Sequence, residues 1–154
     1  MKRIGLIDIG SNTIRLVLFE YTEETGLKEI QNIKTPARLA SFLNEDSVME
    51  EEGIDNLIDI LSSFKEIADQ YGVSDLNPVA TAAVRNSVNS DDIVKRVKEE
   101  LDLDVKVITG KEEAFFGFHA VTHTISTQDA VTIDIGGGST ELTFFEDKEL
   151  IYST

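Results

Sequence analysis

Two stretches of the sequence end an apolar segment on aspartate and follow it with small residues. The first is Ile7-Asp8-Ile9-Gly10-Ser11-Asn12-Thr13-Ile14-Arg15-Leu16, the second Ile133-Asp134-Ile135-Gly136-Gly137-Gly138-Ser139-Thr140-Glu141-Leu142. Laid without gaps, Ile7–Glu20 on Ile133–Glu146, they match at seven of fourteen positions: Ile, Asp, Ile, Gly, then Leu, Phe and Glu. Each reads as a strand, a tight turn and a second strand. Glycine lets backbone approach a ligand closely, and successive turn N–H groups form a concave nest for an anion. Ser11, Asn12, Thr13, Ser139 and Thr140 add side-chain donors. The aspartate is poorly suited to an anion but well suited to Mg²⁺, directly or through water, held against phosphate oxygens. The alternative is a pair of ordinary hairpins turning on Gly and Asn. The repetition of Asp-Ile-Gly with matched spacing favours the phosphate reading. Two copies are too few for a solenoid and suggest two lobes, each carrying a related hairpin.

Thr109-Gly110-Lys111-Glu112 has capping-box spacing, which gives Glu112 a structural task at a helix start. Glu113 has no such task. It shares a helix face with Gly117 and Ala120, whose small side chains admit another element or a ligand. Glu113 is therefore the first candidate for a working carboxylate and Glu112 the reserve. Arg85 follows a strand, a position from which α/β folds present ligand-contacting side chains; the alternative is an exposed arginine. Arg38, in the connection 35–44, reads from the residues alone as a surface charge. His119 and His123 stand at a spacing that can hold zinc, but no Glu directly follows the first, and a packing or solvent-facing role is preferred.

The chain must position these groups with 154 residues, long enough for a domain with a real core. Apolar residues make up 41% and charged residues 28%, which fits a globular protein. There is no cysteine, hence no disulfide framework and no thiolate metal site. The apolar runs are strand-sized, so a membrane partner is not expected and a cytoplasmic location is. The net charge of −15 disfavours nucleic acid and anionic membrane as partners. A polyanionic substrate requires the few basic residues to converge and a divalent ion to neutralise the rest.

Strands are expected over 2–8, 13–21 and 27–34, followed by a long amphipathic helix whose stripe is Ile54, Leu57, Ile58, Leu61, Phe64, Ile67 and Ala68. Ser47-Val48-Met49-Glu50 has capping-box spacing at its start, and Gly72 ends it. A strand over 77–81 leads into Ala80-Thr81-Ala82-Ala83-Val84-Arg85. Asn89-Ser90-Asp91-Asp92 caps the next helix, and a short strand over 105–108 precedes the Thr109 box. The apolar face of the helix after that box holds Ala114, Phe115, Phe118, Val121 and Ile125. Thr124–Gln128 is a polar link and the best lobe boundary, so 1–125 form a first lobe and 126–154 begin a second. Three strands are too few to bury their own faces, and the chain is expected to be part of something about twice as long.

With both hairpins, Ala80–Arg85 and Gly110–Ala114 in view, the sequence resembles the exopolyphosphatase / guanosine pentaphosphate phosphohydrolase (Ppx/GppA) family, from Ile4 to the end. The resemblance implies an α/β fold: an actin-like (ribonuclease H-like) lobe with a mixed five-stranded sheet and flanking helices, then the first strands of a similar lobe. It implies a hydrolase that releases terminal orthophosphate from inorganic polyphosphate or guanosine pentaphosphate with Mg²⁺, and it allows a homodimer through a longer parent protein. Asp8 and Asp134 would hold the metal. Gly10, Ser11, Asn12, Thr13, Gly136, Gly137, Gly138 and Ser139 would cradle phosphates, and Arg15, Arg38 and Arg85 would bind phosphate oxygens. A Glu from Glu112-Glu113 would position the attacking water, with Glu141 a second carboxylate near metal and water. Arg38 departs from the pattern, because Leu39-Ala40-Ser41-Phe42-Leu43 stands where the family more often has a glycine-rich run. The rival functions are an ATP-dependent kinase or ATPase of the same superfamily, and a non-enzymatic sensor of polyphosphate or alarmone.

Overall fold

The structure, a computed structural model, describes residues 1–154. It divides into two compact units, Met1–Val107 and Ile108–Thr154.

The first unit opens with three antiparallel strands, β1 (Lys2–Ile9), β2 (Thr13–Thr22) and β3 (Gly26–Pro36). A 3-10 turn, Leu39–Phe42, leads to helix α1 (Glu51–Gln70). Then come β4 (Leu76–Ala80), a short helix α2 (Ala82–Arg85), helix α3 (Ser90–Leu101) and β5 (Lys106–Val107). The sheet order is β3-β2-β1-β4-β5, with β4 parallel to both β1 and β5. This is the mixed five-stranded sheet of an actin-like lobe.

The alternation of β1 and β2 explains the core. Ile7, Ile9, Ile14, Leu16 and Leu18 point to one face and are at most 1% exposed. The α1 stripe of Ile54, Leu57, Ile58, Leu61, Phe64 and Ala68 is buried in the same cluster. Burying one such side chain fully is worth roughly 1.5–3 kcal/mol, so this layer dominates the unit's stability.

Helix α1 ends as the sequence indicates. Gly72 takes a φ of 66°, its N–H bonds the Asp69 carbonyl at 2.9 Å, and the Val73 N–H bonds the Ala68 carbonyl at 2.9 Å. Its start differs. Ser47 lies in the left-handed region at φ 59°, and the N-cap is Glu50 without a side-chain bond. Asn44 Oδ1 accepts the N–H groups of Asp46 and Val48 instead, so a side-chain-stabilised turn replaces the expected box. Asn89 is the N-cap of α3 but makes no cap bond. Its amide is spent on the Met49 backbone, accepting from the N–H at 2.9 Å and donating to the carbonyl at 3.0 Å.

The second unit is helix α4 (Gly110–Thr124) with an antiparallel sheet, β6 (Ala130–Ile135), β7 (Thr140–Glu146) and β8 (Glu149–Ser153), in that order. Asp147 and Lys148, at φ 50° and 62°, form the two-residue turn between β7 and β8. Phe118 of α4 packs edge-on against Phe145, with ring centroids 5.2 Å apart. By these contacts α4 belongs with the second sheet, whereas the sequence boundary set after residue 125 grouped it with the first. Phe115 and Ile125, expected on the apolar face of α4, are 43% and 57% exposed, and only Ala114 and Phe118 of that helix are buried. The other face of the small sheet is bare: Ile133 and Ile135 are 62% and 76% exposed, while their repeat equivalents Ile7 and Ile9 are buried.

Candidate functional site

In the first unit, one end of the sheet collects the expected groups. Asp8 stands opposite Arg15 in the β1–β2 ladder, one pair from its end at Ile9–Ile14. The turn is closed by the Gly10 N–H donating to the Thr13 carbonyl at 3.1 Å. A Cβ on Gly10 would lie 2.8 Å from that same carbonyl oxygen, so the close approach excludes any side chain there.

The turn is held from one side by backbone. The Ala37 and Arg38 N–H groups both donate to the Asn12 carbonyl at 2.9 Å, and the Ala40 N–H donates to the Ser11 carbonyl at 3.1 Å. Because a trans peptide places N–H and C=O on opposite sides, the Asn12 and Thr13 N–H groups face away from the 37–40 segment. This is the orientation an anion nest needs. Arg38 has a left-handed backbone at φ 51°, fixed by these bonds and by Ser41, whose N–H and Oγ both donate to the Arg38 carbonyl. The departure from the glycine-rich pattern is thus absorbed locally, and the Arg38 side chain is exposed beside the turn.

Arg85 reaches the same end by another route. The Ile9–Ala80 pair closes the parallel β1–β4 ladder, and the Thr81 N–H then bonds the Ile9 carbonyl at 3.1 Å. Helix α2 starts at once and carries Arg85, half-buried, in its last position. Asp8, Gly10–Thr13, Arg15, Arg38 and Arg85 therefore gather at the carboxyl ends of two parallel strands, where open α/β sheets bind ligands.

The second unit repeats the hairpin and changes its chemistry. Asp134 stands opposite Glu141, and the Gly136 N–H donates to the Ser139 carbonyl at 2.9 Å. Directly opposed residues share a face, about 4.5–5.5 Å apart at Cβ. The first hairpin thus opposes carboxylate with guanidinium, and the second opposes two carboxylates. Glu141 is 5% exposed, whereas Asp134 is exposed. A groove of about 270 Å³, lined by Gly117, Ala120, Val121, Thr132, Ile133 and Asp134, opens beside it. Glu113 lies one turn before Gly117 on the same face of α4.

Glu112 is occupied as the sequence indicates. Its carboxylate accepts from the Thr109 N–H at 2.9 Å and from Thr109 Oγ1 at 3.1 Å, while its own N–H donates to Thr109 Oγ1 at 3.2 Å.

The donor set fits a hard divalent cation: Mg²⁺ takes one or two carboxylates and fills its sphere with water and phosphate oxygens, and the Asp134–Glu141 pair offers carboxylate oxygens on one face. No group of three or more potential ligand side chains is assembled, so no all-protein cage is present. His119 and His123 form a ring ladder with Phe115, and His123 Nδ1 lies 2.8 Å from the His119 carbonyl, a packing arrangement.

Sequence reasoning missed the backbone of residues 37–40 as the support of the first turn; no motif signals it. The β2–β3 register places Lys34 opposite Arg15.

The chain matches the Ppx/GppA phosphatase family over residues 17–154. It belongs to that family. It is 32% identical over 149 residues to exopolyphosphatase 1 of Mycobacterium tuberculosis, covering 96% of this chain and 43% of that protein. Among solved structures, an exopolyphosphatase from Cytophaga hutchinsonii superposes with a TM-score of 0.92 at 29% identity, over 99% of this chain and 49% of that one. The Aquifex aeolicus family member superposes with a TM-score of 0.83 at 29% identity, over 99% of this chain and 50% of its own. The chain thus spans about half the length of the relatives it matches.

Proposed function

We propose that this chain carries the phosphate-binding and water-activating part of a phosphohydrolase that removes terminal orthophosphate from inorganic polyphosphate. The observation that carries the reading is the pair of same-register hairpins with opposite chemistry, Asp8 facing Arg15 and Asp134 facing Glu141. Relatives named as exopolyphosphatases support polyphosphate as the substrate; guanosine pentaphosphate, also a polyanion with a terminal phosphoryl group, is the finer alternative within the family.

Phosphoryl transfer needs charge neutralisation and an aligned nucleophile more than covalent assistance. In the first unit the turn N–H groups at 11–13 cradle phosphate oxygens and Arg15, Arg38 and Arg85 neutralise them; in the second unit the N–H groups at 137–139 offer a like turn. Asp8 in the first unit, and separately Asp134 with Glu141 beside it in the second, are carboxylates suited to Mg²⁺; when bound, the ion withdraws charge from the phosphate oxygens. Glu113 holds and deprotonates the attacking water. Glu112 is tied to the helix cap and serves the fold.

The two glutamates are told apart by substitution in a protein that continues this chain with the remaining part of the Cytophaga hutchinsonii enzyme. Glu113→Gln lowers the turnover of polyphosphate by about 10²–10⁴-fold and leaves its binding intact. Glu112→Gln weakens the cap and retains most turnover. Loss of binding without loss of turnover in Glu113→Gln would remove it from this role.

A further inference from the structure

Ladder register brings together two cations that the family motif does not pair. Asp8 of β1 lies opposite Arg15 of β2, and Arg15 lies opposite Lys34 of β3. Directly opposed residues point to the same face, so the three form a row across three strands. This is the solvent-facing side of the sheet: Asp8, Arg15 and Lys34 are all exposed, while the neighbouring positions Ile7, Ile14 and Leu16 face the core.

The row is electrostatically incomplete. Like charges directly opposite one another destabilise a ladder. The same-face neighbours of Arg15 are Thr13 and Val17, and those of Lys34 are Asn32 and Pro36, none of them charged. Asp8 is the counter-charge within the row and supplies one negative charge against two positive. In a chain with 29 acidic and 14 basic residues, two adjacent cations on an exposed face beside the phosphate turn are out of character.

We infer that Lys34 is a further phosphate-binding residue, which with Arg15 forms a strip that receives the phosphate units of a polyphosphate chain beyond those held at the Gly10–Thr13 turn. The inference rests on the phosphate reading of that turn. Lys34 stands one strand across and two residues along from Thr13, which sets its backbone roughly 8 Å from the turn, so a phosphate seated on the turn N–H groups leaves Lys34 to the next units of the chain. Lys34 therefore discriminates by chain length: it senses long phosphate chains and is indifferent to orthophosphate.

The test is titration of this chain with orthophosphate, tripolyphosphate and long-chain polyphosphate, for the parent sequence and for Lys34→Gln. Amide spectra locate binding at residues 10–13. The expected result is about a 10-fold loss of affinity for tripolyphosphate and longer chains, the scale of one charged hydrogen bond, with orthophosphate binding unchanged. Without added phosphate, Lys34→Gln melts at or above the parent temperature, because the repulsion with Arg15 is gone. Lys34→Arg retains long-chain affinity. Equal long-chain affinity for the parent and Lys34→Gln would overturn the inference and leave the phosphate turn standing, as would an equal loss for all three anions. Failure of the parent chain to bind any of the three at residues 10–13 would overturn both.

Discussion

Replacing Gly10 by alanine tests whether close approach, rather than backbone torsion, fixes the first turn. Gly10 is not among the residues with positive φ, so alanine is not excluded by conformation. Space excludes it: the new Cβ would sit 2.8 Å from the Thr13 carbonyl oxygen, which accepts the Gly10 N–H at 3.1 Å. Relieving the contact lengthens that hydrogen bond, worth about 1 kcal/mol net, and shifts the backbone at an overpacking cost of roughly 1–3 kcal/mol. Alanine returns about 0.4–1 kcal/mol by restricting the unfolded chain. The balance is a destabilisation of about 2 kcal/mol. Gly136 is the internal control, since its Cβ would meet the Ser139 carbonyl oxygen at 3.4 Å, an ordinary contact. Gly136→Ala is then neutral or stabilising by less than about 1 kcal/mol. Urea unfolding followed through assigned amides of each unit measures both variants. Gly10→Ala also weakens phosphate-chain binding at residues 10–13. Equal shifts in the two variants, or a Gly10→Ala within about 0.5 kcal/mol of the parent, would refute the reasoning, because the turn would then relax freely around a side chain.

Two further outcomes follow from the packing. Asn89→Ala removes both hydrogen bonds to the Met49 backbone and costs about 2 kcal/mol in urea unfolding; Asn89→Asp fails to restore it, since a carboxylate cannot donate to the Met49 carbonyl. The Lys98 ammonium holds the Asp102 carboxyl below its ordinary pKa, chiefly by a hydrogen bond and with a 2.7 Å ion pair. A depressed carboxyl contributes stability above the ordinary carboxylate range, and that contribution is lost as the pH falls through the lowered value. Melting temperatures from pH 7 down to about 2.5 therefore fall less steeply for Lys98→Met than for the parent.

Local signals were legible where one stretch of sequence contains all the partners. The hairpin at 7–16, the α1 stripe and the Thr109–Glu112 cap form as their spacing dictates, because each depends on neighbours within a few residues. Ser47–Glu50 has the same cap spacing and does not form one, because Asn44 captures the local N–H groups. Asn89 bonds a segment 40 residues away, which no local pattern announces. The candidate site divides in the same way. Aspartates and glycine turns can be read directly, but their opposing partners depend on strand register. The β2–β3 register includes a bulge between Leu18 and Phe19, so the alignment of Arg15 with Lys34 becomes visible only in three dimensions. Likewise the burial of Glu141 beside an exposed Asp134 follows from how α4 and the small sheet are built, not from the Gly-Gly-Gly-Ser-Thr-Glu motif itself.

The most direct test of the central claim is orthophosphate release with Mg²⁺ from long-chain polyphosphate, guanosine pentaphosphate and ATP in parallel. The protein used is this chain continued by the remaining part of the Cytophaga hutchinsonii exopolyphosphatase, with Glu113→Gln as control. Release from polyphosphate, little from ATP, and near-complete loss in Glu113→Gln are expected. Release from ATP alone, or polyphosphate cleavage that Glu113→Gln leaves unchanged, would contradict the claim.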